Sequence, residues 1–519
     1  MSESEQTQTQ TQNPDPKTPD PKVRAVGVTE YSWCRAVPGG TGITVLSLLL
    51  SNVPDISFLE ALLCRLQVSH PILRSRVRFD ASCNTFYFVT PSNPHVQIQS
   101  FDLQSTSHIL QSSLGDSHID SHHVLLEHEL NRNSWNRTDG AGDGDQADWD
   151  VFFVSLYTIS DTRWFLVFRL HTSACDRAAA VGLLRELLEI VGGGRAKAEE
   201  EIEQEVGIED LIPSGKANKP LWARGVDLLG YSLNSFRLAN LNFIDANSAR
   251  HSQVVRLKMN PDDTDRLVAG CKSRGIKLCG ALAAAGMIAA RSTKPFPDHQ
   301  KEKYAVVTLI DCRSILEPVL SSNHFGFYHS AILNTHDVTA LDEVWELANR
   351  CYTSFSNAKN NNKHFSDMND LNFLMCKAID NPGLTPSSSM RTAFMSVFED
   401  PVIDESNKLR KEIGLVDYVG CSSVHGIGPT IAIFDTIRDG CLDCTCVYPA
   451  PLHSREQMQQ LIDSMKRILV DDAVGVKDRQ QGRSADFDHV NNFLMWFLSL
   501  LKLPTDPMQQ SKCAQSHKN

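Results

Sequence analysis

The stretch Trp164-Phe165-Leu166-Val167-Phe168-Arg169-Leu170, followed by His171-Thr172-Ser173-Ala174-Cys175-Asp176-Arg177, carries the strongest pattern in the chain. The apolar run reads as a buried strand. Ala178 to Val191, rich in Ala and Leu, reads as a helix. A histidine ending a strand, with a carboxylate five positions on at a helix start, is a place where proton chemistry can be built. The bland reading stands beside it. His171 serves equally as a structural hydrogen-bonding histidine, and Cys175 as a packing residue.

Outward from this segment the pattern repeats a strand–helix alternation. Gly40 to Leu50 reads as a strand. Asp55 to Val68 reads as an amphipathic helix capped by Asp55 or Ser57, stopped by His70-Pro71. Phe86 to Val89 and Asp150 to Tyr157 read as further strands. Ser112 to Asp150 reads as a polar insertion, with His122-His123 as a solvated loop pair and Thr138 to Asp148 as its exposed tip. In the second half, Gln253 to Met259 begins a new series, and Asn260-Pro261 opens a helix running to Ser273. Gly280 to Ser292 is an Ala-rich, tightly packed helix. Strands are expected at Tyr304 to Ile310, Ser330 to Leu333, Thr392 to Phe398, Val416 to Val419, Thr430 to Asp435 and Cys441 to Val447. Helices are expected at Leu341 to Ser354 and Ser454 to Leu469.

The 519 residues exceed one ordinary core, and 41% hydrophobic content fills two. The organisation expected is a disordered tail (1–22), an N-terminal subdomain (23–195), a crossover linker (196–250), a C-terminal subdomain (251–470) and a tail with a short apolar helix (471–519). The net charge of −12, without a basic block, argues against nucleic acid as the main partner. No stretch is long enough to span a bilayer, which needs about 20 apolar residues. The apolar patch at 493–503 either docks on the protein itself or makes a weak membrane or partner contact. Without a secretion signal, the fourteen cysteines read as reduced thiols in a cytoplasmic protein. Cys441, Cys444 and Cys446 are too few for a metal site and alternate like a strand, so no metal is expected.

The order of these pieces resembles the chloramphenicol acetyltransferase-like superfamily, which includes condensation domains, alcohol acetyltransferases and BAHD acyltransferases. The likeness spans Val23 to Val470. It is carried by His70-Pro71-Ile72-Leu73-Arg74, by Glu129-Leu130-Asn131 before Trp135, and by the segment at His171. In the second half it is carried by Lys277 to Leu282, Asp311-Cys312-Arg313, Phe325-Gly326 and the stretch Cys441 to Leu469. The resemblance implies an α/β fold, with two similar mixed-sheet domains enclosing a channel. It implies transfer of an acyl group from a CoA or carrier thioester, a cosubstrate and not a bound cofactor, to an alcohol or amine. In the family motif H-H-x-x-x-D-G the second histidine is the general base, and the aspartate pairs with an arginine. In register, His171 matches the first histidine, Thr172 the base, Asp176 the aspartate, Arg177 the glycine, and Arg313 the structural partner of the motif.

Thr172 departs from that motif. A threonine hydroxyl is not basic near neutral pH, and loss of a general base removes about 10²- to 10⁴-fold in rate. Three readings follow. The motif is degenerate in an intact fold, and the protein binds a ligand or partner. Alternatively, His171 serves as base, or His329 or His425 is recruited, with Asp176 in support. In the third, the likeness is coincidence. Thr172, Ser423, His329 and His425 are the channel or oxyanion candidates, a plain Ser/Gly loop being the bland reading of 422–426.

Overall fold

The computed structural model describes residues 20–113, 119–136, 148–193, 206–220, 222–227, 230 and 238–474. The apolar patch at 493–503, most of the 138–148 tip, most of 1–22 and part of the linker lie outside them. The described residues build a mixed α/β fold from three sheets. A five-stranded sheet runs Leu415–Val424, Thr41–Leu50, Arg163–His171, Phe152–Ser160, Ile98–Phe101. A seven-stranded sheet runs His329–Val338, Glu302–Asp311, Arg391–Phe398, Gly428–Arg438, Cys441–Ala450, His251–Lys258, with Val402–Asp404 beside Gly428–Arg438. A smaller sheet runs Lys22–Ala25, Thr85–Thr90, Arg76–Asp80, Trp149–Asp150. No helix among the described residues is long and apolar enough to cross a membrane.

Local chemistry sets the element ends. Asp55 accepts from the Phe58 amide at 3.1 Å to start Ile56–Ser69, and Pro71 follows its end. Asn260 accepts from the Asp263 amide at 2.8 Å, with Pro261 in the first turn of Pro261–Ser273. Leu278–Ser292 is buried from Leu278 to Arg291, so it is apolar all round rather than amphipathic. A Cβ at its Gly280 would sit 2.9 Å from the Ala348 carbonyl of Val344–Asn360. The glycine is what lets these two helices approach. Thr41–Leu50 lies between two strands and is buried along nearly its whole length, with Ile43, Val45, Leu46, Leu48 and Leu49 covering both of its faces.

Two features stitch the N-terminal and C-terminal halves. Leu415–Val424 belongs to the second half in sequence but pairs antiparallel with Thr41–Leu50 of the first, Cys421 opposite Val45 and Ser422 opposite Thr44. The second feature corrects the reading of His122-His123 as a solvated loop pair within the polar insertion 112–150. Ser121–Asn131 is a helix lying along the outer edge of His251–Lys258. His123, Glu127 and Asn131 fall four residues apart, on one helical face. The Asn131 amide exchanges hydrogen bonds with Ser252 N and O at 2.6 and 2.8 Å. Glu127 accepts from Val254 N at 2.7 Å, and His123 Nε2 lies 2.9 Å from Val254 O. Side chains here do for an edge strand what a further strand would do. His122 and His123 are therefore half-buried joint residues, not a solvated pair. Cys444 and Cys446 point into the core of the C-terminal half.

Candidate functional site

The motif strand Arg163–His171 runs into a short turn at Thr172–Ala174 and then into helix Arg177–Val191. Asp176 caps that helix by accepting from the Ala179 amide at 2.8 Å. The same carboxylate meets Arg313 through two hydrogen bonds, Nη1 to Oδ2 at 2.9 Å and Nη2 to Oδ1 at 3.1 Å. Tyr328 N donates to Oδ2 at 2.7 Å, and His329 Nδ1 lies 2.8 Å from it. Arg313 donates further to Asp311 Oδ1 at 2.9 Å and to the carbonyls of His324 and Gly326 at 3.0 and 3.3 Å. Burial pushes the Asp176 carboxyl up, but Arg313 and His329 outweigh it and hold the acid well below its usual range. Arg313 is held above its usual value by Asp176 and Asp311 against the opposing burial. Both side chains are nearly inaccessible.

His171 and Thr172 face differently. His171 Nδ1 takes the Ser173 amide at 3.2 Å and the Ser173 hydroxyl at 2.7 Å. Its ring stands edge-on to Trp135, centroids 5.2 Å apart. It is 2% exposed, and burial brings it down to about 3, so it is neutral at pH 7. Thr172 belongs to a chain of hydroxyls whose direction is fixed at one end, because a carbonyl only accepts. Thr172 Oγ1 donates to Gly42 O at 2.6 Å. Thr44 Oγ1, 2.7 Å away, therefore donates to Thr172, and Ser422 Oγ, 3.0 Å from Thr44, donates in turn. Gly42 adopts φ +89°, and a Cβ there would sit 3.0 Å from both Thr172 Oγ1 and the Trp33 ring. Glycine thus places the turn, the threonine and the tryptophan together.

The remaining candidates are partly absorbed by structure. Ser423 does not sit in a loop after a strand but inside Leu415–Val424, where its hydroxyl accepts from Ile43 N at 3.0 Å. His425 follows it, with Nδ1 3.0 Å from Ser252 Oγ, and burial lowers it to about 4. Arg391, 1% exposed, donates to the carbonyls of Val424, Gly426, Pro429 and Ser389. It grips the link by which the chain passes from one sheet to the other, and burial lowers it to about 9. The structure thus brings Asp176, Arg313 and His329 into one node and Thr172, Thr44 and Ser422 into a second, and leaves Ser423 and His425 at the link.

Arg177, the first residue of the motif helix, crosses to the seven-stranded sheet. Its guanidinium lies 3.0 Å from Asp435 Oδ1 and 4.0 Å above the Phe398 ring, and donates to the carbonyls of Asp435 and Asp400. Burial dominates both partners, lowering Arg177 and raising Asp435. Neither Asp435 carboxylate oxygen has a well-aligned hydrogen-bond donor among the described residues. Sequence reading did not single out Asp435. The signal was there: a carboxylate ending the apolar run Ile431-Ala432-Ile433-Phe434. Trp33 was missed because its helix, Val28–Ala36, has a weak apolar pattern.

No protein-family model matches the chain, and no curated protein matches it. Solved structures do match. Trichothecene 15-O-acetyltransferase from Fusarium sporotrichioides superposes with a TM-score of 0.63 at 13% identity, over 86% of this chain and 94% of that one. Polyketide synthase associated protein 5 from Mycobacterium tuberculosis gives 0.57 at 14%, over 87% and 99%. The epimerization domain from the third module of tyrocidine synthetase B gives 0.55 at 12%, over 88% and 97%. The fold is chloramphenicol acetyltransferase-like. Identities this low carry the fold and nothing finer. In this fold the turn at His171–Arg177 holds a buried carboxylate–arginine node, with Thr172 and Arg177 beside it.

Proposed function

We propose that this chain is an acyltransferase-fold protein that binds a ligand at the seam between its halves without transferring an acyl group. The directed hydroxyl chain carries this reading: Thr172 spends its one proton on Gly42 O and accepts from Thr44, so it is not placed to take a proton from an acceptor alcohol or amine. His171 does not replace it, because its Nδ1 is engaged by Ser173 and its ring is enclosed against Trp135. His329 faces Asp176 through Nδ1 at 2.8 Å, so its Nε2 is the nitrogen on which the rival acyl-transfer reading would rest. Arg177 adds an ion pair across the seam where the family motif has glycine. A retained affinity for CoA or carrier thioesters is compatible with this reading, and the acyl-transfer reading is its rival.

The test incubates the full chain with radiolabelled acyl-CoAs and a carrier-bound thioester, over a panel of alcohols and amines. Wild type is expected to consume no thioester above the uncatalysed background. A Thr172→His, Arg177→Gly double variant is expected to gain turnover. Wild-type turnover that disappears in His171→Ala would overturn the proposal and assign His171 as base.

A further inference from the structure

The edge strand of the seven-stranded sheet, His329–Val338, starts beside Asp176 and ends beside the helix Val344–Asn360. A groove of about 500 Å³ lies there, walled by Thr335, His336 and Asp337 of the strand and by Asn349, Arg350 and Thr353 of the helix. His336 stands seven residues along the strand from His329, roughly 23 Å at the ordinary rise of a strand. The groove is therefore separate from the motif turn.

Strand geometry puts a polar row at its inner end. Side chains alternate along a strand, and residues directly opposite share a face. Ile332, Asn334 and His336 thus share one face with Thr308, Val306 and Tyr304 opposite them. Behind the groove is a space of about 10 Å³ lined in part by Thr308, Asn334 and His336, and His336 borders both. His336 is 8% exposed and Thr308 6%. Among the described residues, no hydrogen bond reaches the side chain of Thr308, Asn334 or His336. Buried polar groups are ordinarily paired, so three unpaired side chains around one opening call for a partner from outside the chain. Burial, with Arg350 nearby, lowers His336 to about 4, so its ring is neutral at pH 7.

The lining narrows the chemistry of that partner. A neutral imidazole, a primary amide and a hydroxyl each donate and accept. The inner space has room for one water-sized group, which admits a hydroxyl and excludes a carboxylate or phosphate. At the mouth the charges cancel, Lys301 and Arg350 against Asp337 and Asp342. Arg350 already donates to Asp342 Oδ1 at 2.8 Å. An ion of either sign meets its own charge there, and an apolar molecule would leave the inner row unpaired.

We propose that this groove binds an uncharged polyhydroxyl molecule of monosaccharide size, with one hydroxyl on His336 and in the space behind it. A hydroxyl donates and accepts, as that row requires. The volume lies within the range of small-molecule clefts. The site goes beyond the seam and stands whether or not the seam is catalytic.

Saturation-transfer NMR on the full chain, with D-glucose, myo-inositol and cyclohexanol as probes and inorganic phosphate as competitor, tests the proposal. Transfer is expected to at least one of the two polyols, with cyclohexanol weaker by about tenfold or more. Ser354→Trp fills the groove from an exposed position of the helix and should abolish transfer with the unfolding midpoint unchanged. His336→Phe keeps a ring and removes its donor and acceptor, and should weaken binding by about tenfold. Arg350→Gln removes a mouth charge and should change affinity by less than about threefold. Should His336→Phe fail to fold, Ser354→Trp still decides. Transfer to neither polyol, or transfer undiminished in Ser354→Trp, would overturn the proposal. So would phosphate displacing the polyol from wild type but not from Arg350→Gln, which would mark an anion site instead.

Discussion

Asp176 and Arg177 are consecutive residues, and each makes an ion pair with the second half of the chain, yet the two pairs are opposites. Asp176 accepts two hydrogen bonds from Arg313, one from Tyr328 N and one from Ala179 N, with His329 alongside. Its environment holds it ionised. Asp435 has the Arg177 guanidinium at 3.0 Å and, among the described residues, no well-aligned donor, and burial pushes it toward the neutral acid. Charge and burial are alike in both; the number of donors differs. A buried charge is stable in proportion to how fully its lone pairs are met, not to the presence of one opposite charge. The first pair is a structural rivet, and the second is a buried contact with fewer donors.

The sharpest way to break this contrast is to remove one cation from each pair. Arg313→Ala leaves Asp176 buried beside its remaining donors and should cost about 3–5 kcal/mol in urea unfolding. A loss below about 1 kcal/mol would mean that the backbone donors alone hold the node. Asp176 also sets an acid limit. Its folded value lies below the unfolded one, near 3.9, so its contribution is complete above that value and lost as pH falls through the folded value. Asp176→Asn should therefore be destabilised at pH 7 and approach wild type in strong acid.

Arg177→Met should cost less, about 1–3 kcal/mol at pH 7, because Asp435 can escape by taking a proton. The sign with pH is opposite to that at Asp176. Asp435 has a raised folded value, so its ionisation penalises the fold above the unfolded value near 3.9, and the penalty fades as pH falls toward it. The deficit of Arg177→Met should therefore shrink between pH 7 and about pH 4. Arg177→Met with Asp435→Leu should be neutral or more stable than wild type. A double variant as weak as Arg313→Ala would show that the two pairs are alike after all.

The contrast marks how far the sequence could be read. Elements with strong local signals were legible: the capped Pro261–Ser273 ends where Asn260, Pro261 and Ser273 place it, and the Thr41–Leu50 run is a central strand. Ser121–Asn131 was not, because its face of His123, Glu127 and Asn131 looks solvent-bound until the sheet edge it serves is in place. The seam was legible only in part. Arg177 stood out against the motif, but Asp435, 258 positions away, becomes its partner only when the sheets assemble. The same holds for Leu415–Val424, whose alternation predicts a strand but not the sheet it joins.

The smallest expected effect lies at the residue that carries the functional reading. Thr172→Val keeps the shape of the side chain and removes the donor to Gly42 O and the acceptor for Thr44. Two buried groups lose a partner, so a cost of about 1–3 kcal/mol is expected. Thr172→Ser keeps both bonds and should cost less than about 1 kcal/mol. The pair separates two roles for the hydroxyl. If it is structural, stability follows the order wild type, Ser, Val. If Thr172 instead addresses a reacting group, Thr172→Val would be as stable as wild type and would change only what the seam does to its ligand.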